Sequence, residues 1–170
     1  MRKSLDRIAK IIFVCGILCA SVHVQPAWAA SQLAEQETLS TEQILSSIAD
    51  IRNADDRGVV RQKAFDLAHH IRETIDAGQG AAITERVIQA LGDLLDNPVK
   101  RFDTATIIIQ IGPRASALRP KLNAVLEDEY QKEKGDIVAQ PIDSIDMICT
   151  ALREVKSQEP RICLDRNIKW

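Results

Sequence analysis

This sequence of 170 residues has few aromatic residues and little net charge. Phe, Trp and Tyr together make up only 4% of the chain, which disfavours a surface that stacks unpaired nucleic-acid bases. The 22 Lys and Arg residues are balanced by 24 Asp and Glu residues, so the formal net charge is −2. This balance excludes the large basic surface that duplex nucleic acid requires, and no nucleic-acid partner is expected.

Glycine, proline and long apolar runs are also limited. Seven Gly and six Pro are too few for a collagen-like or low-complexity chain, and the length favours one domain with a real core. The mostly apolar run Ile11–Val24 would span about 21 Å as a helix, which is short of the roughly 30 Å hydrocarbon core of a bilayer. We therefore expect no stable membrane anchor, although an uncleaved anchor is the alternative interpretation of this run.

Residues 1–29 have the organisation of a secretory signal peptide. Four basic residues and one acid precede the apolar run, and the small-residue site Ala27-Trp28-Ala29 follows it. We expect cleavage after Ala29 or Ala30 and bacterial export to the periplasm or the medium. Bulky residues precede Cys15 and Cys19, so lipidation of either cysteine is disfavoured.

Cleavage would leave a more acidic chain with two cysteines. Residues 1–29 carry a net charge of +3, so the remainder would carry −5, which disfavours anionic lipid partners. Cys149 and Cys163 are then the remaining cysteines, and in an oxidising compartment they are natural disulfide partners. A loop of this length predicts about 3 kcal/mol of stabilisation. The alternative is two separate buried thiols.

Apolar periodicity and helix-boundary residues predict an all-α protein. Ser40 and Gln43 have the spacing of a capping box, and residues 30–38 before them are expected to be a flexible lead-in. The predicted helical domain covers residues 39–157, and residues 158–170 are expected to be a C-terminal tail. The later helices are predicted at Val59–Ile75, from Ile83 or Thr84, at Pro98–Ile111, at Ala115–Lys132 and after Pro141.

The segment Pro98–Ile111 is ambiguous, because Thr104–Ile109 is rich in β-branched residues that favour strands. Its 14 residues lie between a Pro start and the Gly112-Pro113 stop, which is too long for an ordinary strand. A helix is therefore predicted, and its run of isoleucines predicts burial on both sides.

Residues Asp96–Asp128 read DNPVKRFDTATIIIQIGPRASALRPKLNAVLED and closely resemble a HEAT repeat. The resemblance lies in the Pro98-Val99-Lys100 start, the Ile111-Gly112-Pro113 turn and the leucines of the second helix. A fainter copy begins at Val60, 39 residues before Val99, but it has no Gly-Pro turn, and an incomplete third copy is predicted from Ile142. The resemblance implies a short α-solenoid of antiparallel helix pairs, with about six helices, and a protein-binding role. Some members of the family instead bind small molecules or act as lyases.

No catalytic residue, cofactor or metal ion is predicted. Asp66, His70 and Glu73 share one helix face, where a metal could bind, but one imidazole and two carboxylates are an incomplete ligand set. A solvated polar face, with both acids supporting His70, is the favoured interpretation. The acids in Glu127-Asp128-Glu129 are likewise expected to be solvated, and no serine lies in a nucleophile motif.

The C-terminal tail has two interpretations. Arg161, Arg166 and Trp170 are residue types favoured at protein interfaces and are candidate partner contacts. Alternatively, the tail caps the open end of a helical stack, which is the favoured interpretation.

The sequence therefore predicts an exported HEAT-like scaffold that binds another protein, either as an envelope assembly factor or as an immunity protein against a toxin. The alternative is a small-ligand-binding protein or an enzyme that uses a groove between helices. A flat surface with exposed apolar and Arg residues would favour the scaffold, and a deep polar pocket would favour the alternative.

Overall fold

The computed structural model describes residues 38–135, 143–158 and 160–165, and all regular structure in these ranges is helical. The predicted all-α class is therefore confirmed for this part of the chain. The expected signal peptide, and all of the lead-in except Thr38, lie outside the described residues. Of the helices in these ranges, none has both the length and the apolar character needed to cross a bilayer. The α-helices are α1 (Thr41–Asn53), α2 (Arg57–Asp76), α3 (Glu85–Leu94), α4 (Arg101–Ile111), α5 (Arg119–Gly135), α6 (Asp143–Glu154) and α7 (Arg161–Asp165).

Side chains cap the first two helices where the sequence predicts their starts. The Ser40 hydroxyl accepts a hydrogen bond from the Gln43 amide, and Gln43 Oε1 accepts one from the Ser40 amide at 2.7 Å. The predicted capping box is therefore confirmed. Asp56 caps α2 in a similar way, because its Oδ1 accepts a hydrogen bond from the Val59 amide at 2.9 Å.

The ambiguous segment is helical, as predicted. It begins as a 3₁₀ turn at Pro98–Lys100, where the Asn97 side chain accepts a hydrogen bond from the Val99 amide, and it continues as α4. Ile107 and Ile108 have no exposed surface, and Ile111 is 1% exposed. The expected burial of this helix is therefore confirmed. Its packing in the core overrides the strand preference of its β-branched residues.

The burial of α4 follows from its neighbours. It packs against α2 and against α6, while α1 packs on both α2 and α3. α5 packs against α6. One continuous apolar core joins these helices, and it includes Ile44 of α1, Leu91 of α3 and Leu122 of α5.

The predicted turn after α4 depends on Gly112. Its φ of +61° lies in a region that L-residues with a side chain rarely adopt, so the chain can reverse there. The following residues form a 3₁₀ segment, Gly112–Leu118, and regular helix resumes at Arg119. Pro120 therefore lies in the first turn of α5, as its missing amide proton requires.

Arg101 forms a buried ionic cluster that contradicts one prediction. It is 7% exposed, and its Nη1 donates to Asp128 Oδ2 and to Glu129 Oε1, both at 2.5 Å. The expectation that Glu127-Asp128-Glu129 is solvated was therefore wrong for Glu129, whose side chain is 18% exposed, whereas Glu127 and Asp128 are exposed as expected. Asp128 and Glu129 together neutralise the buried guanidinium. Burial opposes the charge of Arg101, but the two carboxylates outweigh it and hold the arginine pKa above its usual value.

The C-terminal part contains the expected disulfide. Cys149 of α6 and Cys163 of α7 are bonded, and their Cα atoms lie 5.7 Å apart. Both cysteines are almost fully buried, so the alternative of two separate thiols does not apply. The expected tail contains one helical turn, α7, because Pro160 permits a new helix to begin at Arg161. The carbonyl of Pro160 accepts hydrogen bonds from the amides of Cys163 and Leu164.

Candidate interaction surface

The exposed side of α2 carries a large aromatic residue, Phe65, which is 65% exposed. Arg57 and Arg61 precede it by eight and four residues, so the three side chains share one helix face. The start of the neighbouring α4 region adds Val99, which is 59% exposed, and the half-buried Phe102. We call these five residues the α2–α4 surface.

Arg61 connects the two sides of this surface. Its Cζ lies 4.8 Å from the centre of the Phe102 ring, a separation typical of a cation–π contact. Its Nε lies 3.7 Å from Oδ1 of Asp103. Two contacts on one side chain restrict its rotamers, so the half-exposed guanidinium is held in place before any partner arrives.

Asp103 places a buried carboxyl group next to the arginines of the α2–α4 surface. Its side chain is only 4% exposed, and burial raises the pKa of the carboxyl group. The positive charges of Arg61 and then Arg57 oppose that rise. The carboxylate is therefore almost inaccessible to solvent, while Arg57 is exposed and the side chain of Arg61 is half-exposed, so the accessible part of the surface is basic and apolar.

The arrangement can bind an apolar side chain flanked by carboxylates. Phe65 and Val99 offer apolar area, and Arg57 and Arg61 offer donors to acidic groups. Sequence reasoning did not select these residues. One signal was available for Phe65, because it is an aromatic residue that lies outside the apolar stripe of Val60, Ala64, Leu67 and Ile71 on its helix.

The candidate metal-binding face is not assembled as a site. Glu73 pairs with His69 at 3.2 Å, and Asp66 accepts a hydrogen bond from Gln62 at 2.8 Å. The interpretation that Asp66 and Glu73 support His70 was therefore wrong, because both acids have nearer partners. Within the described ranges, no group of three or more His, Cys, Asp or Glu side chains could hold a metal ion.

Of the three candidate partner contacts in the tail, the structure describes one. Arg161 is exposed, and its Nε lies 3.6 Å from Oδ2 of Asp165, one turn along α7. Such an exposed pair contributes little to stability. Arg166 and Trp170 lie outside the described residues, so their predicted role stays a prediction.

Comparison with protein-family models, with curated proteins and with solved structures finds no match to this chain. The chemistry of its surfaces is therefore the basis for assigning a function.

Proposed function

We propose that this chain is an exported scaffold that binds another protein through the α2–α4 surface. The observation that carries the proposal is the exposed ring of Phe65 beside the Arg61–Phe102 contact. Burying a side chain of this size contributes about 1.5–3 kcal/mol, so a partner that covers it gains a substantial part of its binding energy there. Aromatic residues and Arg are also the types that dominate binding energy at interfaces.

A HEAT-like stack is the architecture that we propose for this scaffold. It is supported by the packing of α4 against α2 and α6, because the first helices of successive HEAT-like pairs would be neighbours in such a stack. The turn at Gly112-Pro113 also supports the proposal, because it ends α4 where the predicted repeat requires a turn. In this arrangement the α2–α4 surface crosses the boundary between two pairs, where a partner contacts both.

Export is proposed from the charged, apolar and small-residue regions of residues 1–29 in that order. The disulfide supports it, since such bonds persist mainly in oxidising compartments. Amino-terminal sequencing of the protein recovered from the bacterial envelope and medium should find a start at Ala30 or Ser31. Recovery of the chain with Met1 in the membrane pellet would overturn this part of the proposal.

Site-specific photocrosslinking tests the binding surface. A photoreactive phenylalanine analogue replaces Phe65 in the producing cells, and a matched control places it at Ala124, an exposed position on α5. We expect a discrete adduct from position 65 only, with a protein that mass spectrometry identifies. Binding of that purified protein should weaken by about tenfold or more in Phe65→Ala and in Arg61→Ala, as expected for central interface residues. Equal adducts from both positions, or unchanged affinity of both variants, would contradict the proposal.

A further inference from the structure

A polar cleft lies at the carboxyl ends of α2 and α4 and borders the last residue of α6. Its volume is about 320 Å³, at the lower end of the range for small-molecule sites. Two arginines and two acids line it, namely Arg72, Arg114, Asp76 and Glu154. This cleft is distinct from the α2–α4 surface and does not depend on the proposed protein partner.

The guanidinium of Arg114 is positioned by a glycine. A Cβ placed on Gly80 would lie 2.7 Å from Nη2 of Arg114 and 2.8 Å from both Cζ and Nε. Three nearly equal distances mean that the flat guanidinium group lies face-on over the Gly80 backbone. A residue with a side chain would displace it, so Gly80 is what permits this position.

Arg114 is exposed, and in the part of the chain that the structure describes its guanidinium makes neither a hydrogen bond nor an ion pair with a side chain or a carbonyl group. Its face is occupied by Gly80, and its edge carries N–H groups in the geometry that binds a carboxylate with two parallel hydrogen bonds.

The other polar groups of the cleft define the rest of the ligand. Arg72 is held weakly, with its Nη1 3.4 Å from Gln110 Oε1 and its Nε 3.6 Å from Asp76 Oδ2. Glu154 and the carbonyl ends of α2 and α4 add negative charge to the cleft, which favours a cation there. A ligand with two carboxylates would meet repulsion from these groups, and one carboxylate with one ammonium group would satisfy both sides.

We propose that this cleft binds a small zwitterion, with its carboxylate on Arg114 and its ammonium group beside Glu154. Free amino acids and short peptides share this chemistry and differ in the distance between their two charges. Nothing in the protein-binding proposal requires this site, so each proposal can fail without the other.

Nuclear magnetic resonance titration of the ¹⁵N-labelled protein tests the proposal. The probes are glycine and glycylglycine, with acetate, glycinamide and sodium chloride as comparisons. The amide signals of Gly80 and Gly112 report on the cleft, while that of Gly58 reports on the opposite end of α2. We expect saturable shifts of the first two signals with a zwitterion, and weaker shifts with acetate and glycinamide. The tighter-binding zwitterion identifies the preferred distance between charges.

Two variants separate the position of Arg114 from its charge. Gly80→Ala should displace the guanidinium while keeping its charge, and only the flexible end of Arg114 has to move. Arg114→Gln removes the charge, with Arg86→Gln on α3 as the matched control. Both cleft variants should weaken zwitterion binding about tenfold or more, as loss of hydrogen bonds to a charged group predicts, and the control should not.

Three results would overturn the proposal. They are the lack of any saturable shift with both zwitterions, binding of acetate or glycinamide as tight as that of the zwitterions, and unchanged affinity in Gly80→Ala and Arg114→Gln.

Discussion

Replacing Arg101 with Met removes the buried guanidinium while keeping a long side chain with similar helix propensity. The variant removes the nearer of two cations from the carboxylate of Glu129, which is 18% exposed and keeps only Lys132, at 3.6 Å. It also removes the donor 3.1 Å from the Leu95 carbonyl oxygen. Breaking a buried ion pair in this way costs about 3–5 kcal/mol. Asp128 adds little to that cost, because its side chain is 46% exposed and Lys132 remains bound to it.

We therefore expect Arg101→Met to lower the free energy of unfolding by about 3 kcal/mol, a large part of the stability of an ordinary domain. Urea unfolding followed by far-ultraviolet circular dichroism at neutral pH measures the change. Arg86→Met is the matched control, because Arg86 pairs with Glu42 at 2.8 Å with both side chains about two-thirds exposed. That control should cost less than about 1 kcal/mol.

A second substitution identifies the source of the loss. If the loss of the buried cation beside Glu129 is responsible, Glu129→Gln in the Arg101→Met background should recover about 1 kcal/mol or more, although it destabilises the wild-type protein. The reasoning is refuted if Arg101→Met costs no more than Arg86→Met, or if the second substitution adds to the loss.

Three further predictions concern the core, the disulfide and a buried acid. Ile108→Asp should cost more than about 4 kcal/mol in urea unfolding, because the charge is buried without a partner, whereas a cost near 1 kcal/mol would contradict the dry interior of α4. Replacing Cys149 and Cys163 together with Ala should lower the free energy of unfolding by about 3 kcal/mol. In the double variant, amide hydrogen exchange should also accelerate more in α7 than in α2, and equal acceleration in both helices would contradict a local effect of the disulfide. Burial raises the pKa of Asp103, so the folded chain keeps this proton at pH values at which the unfolded chain has lost it. The free energy of unfolding of the wild type, relative to that of Asp103→Asn, should therefore fall as the pH rises from about 3.9 through the raised pKa. Urea unfolding of both proteins across that pH range measures the difference between their free energies of unfolding. A difference that stays constant, or that changes in favour of the wild type as the pH rises, would refute this prediction.

Local signals were sufficient to predict most helices. Pro98 and Gly112 bracket the α4 region, and the spacing of Ser40 and Gln43 places the start of α1. These features act within a few residues of the chain, so a sequence pattern contains them directly. The cysteine pair was predictable for a different reason, because residues 30–170 contain two cysteines and therefore allow only one intramolecular pairing.

The ionic contacts could not be predicted in the same way. Arg101 reaches Asp128 and Glu129 across 27 and 28 residues, and Arg61 reaches Asp103 on another helix. Such pairs depend on how helices pack, and a charged residue in a sequence pattern ordinarily indicates solvent. The candidate surface was missed for the same reason, since the contact of Arg61 with Phe102 exists only after α2 and α4 are adjacent.

The disulfide has a consequence for the order of oxidative folding. Its cysteines are separated by 14 positions, and a flexible loop of about this length closes in roughly 0.1 μs or less, far faster than oxidation. The two thiols therefore meet repeatedly in the unfolded chain, and their pairing does not have to wait for the core. With Cys15 and Cys19 retained, four cysteines allow three pairings, whereas residues 30–170 allow one. Removal of the first 29 residues before oxidation would leave the chain no intramolecular mispaired form for an isomerase to correct.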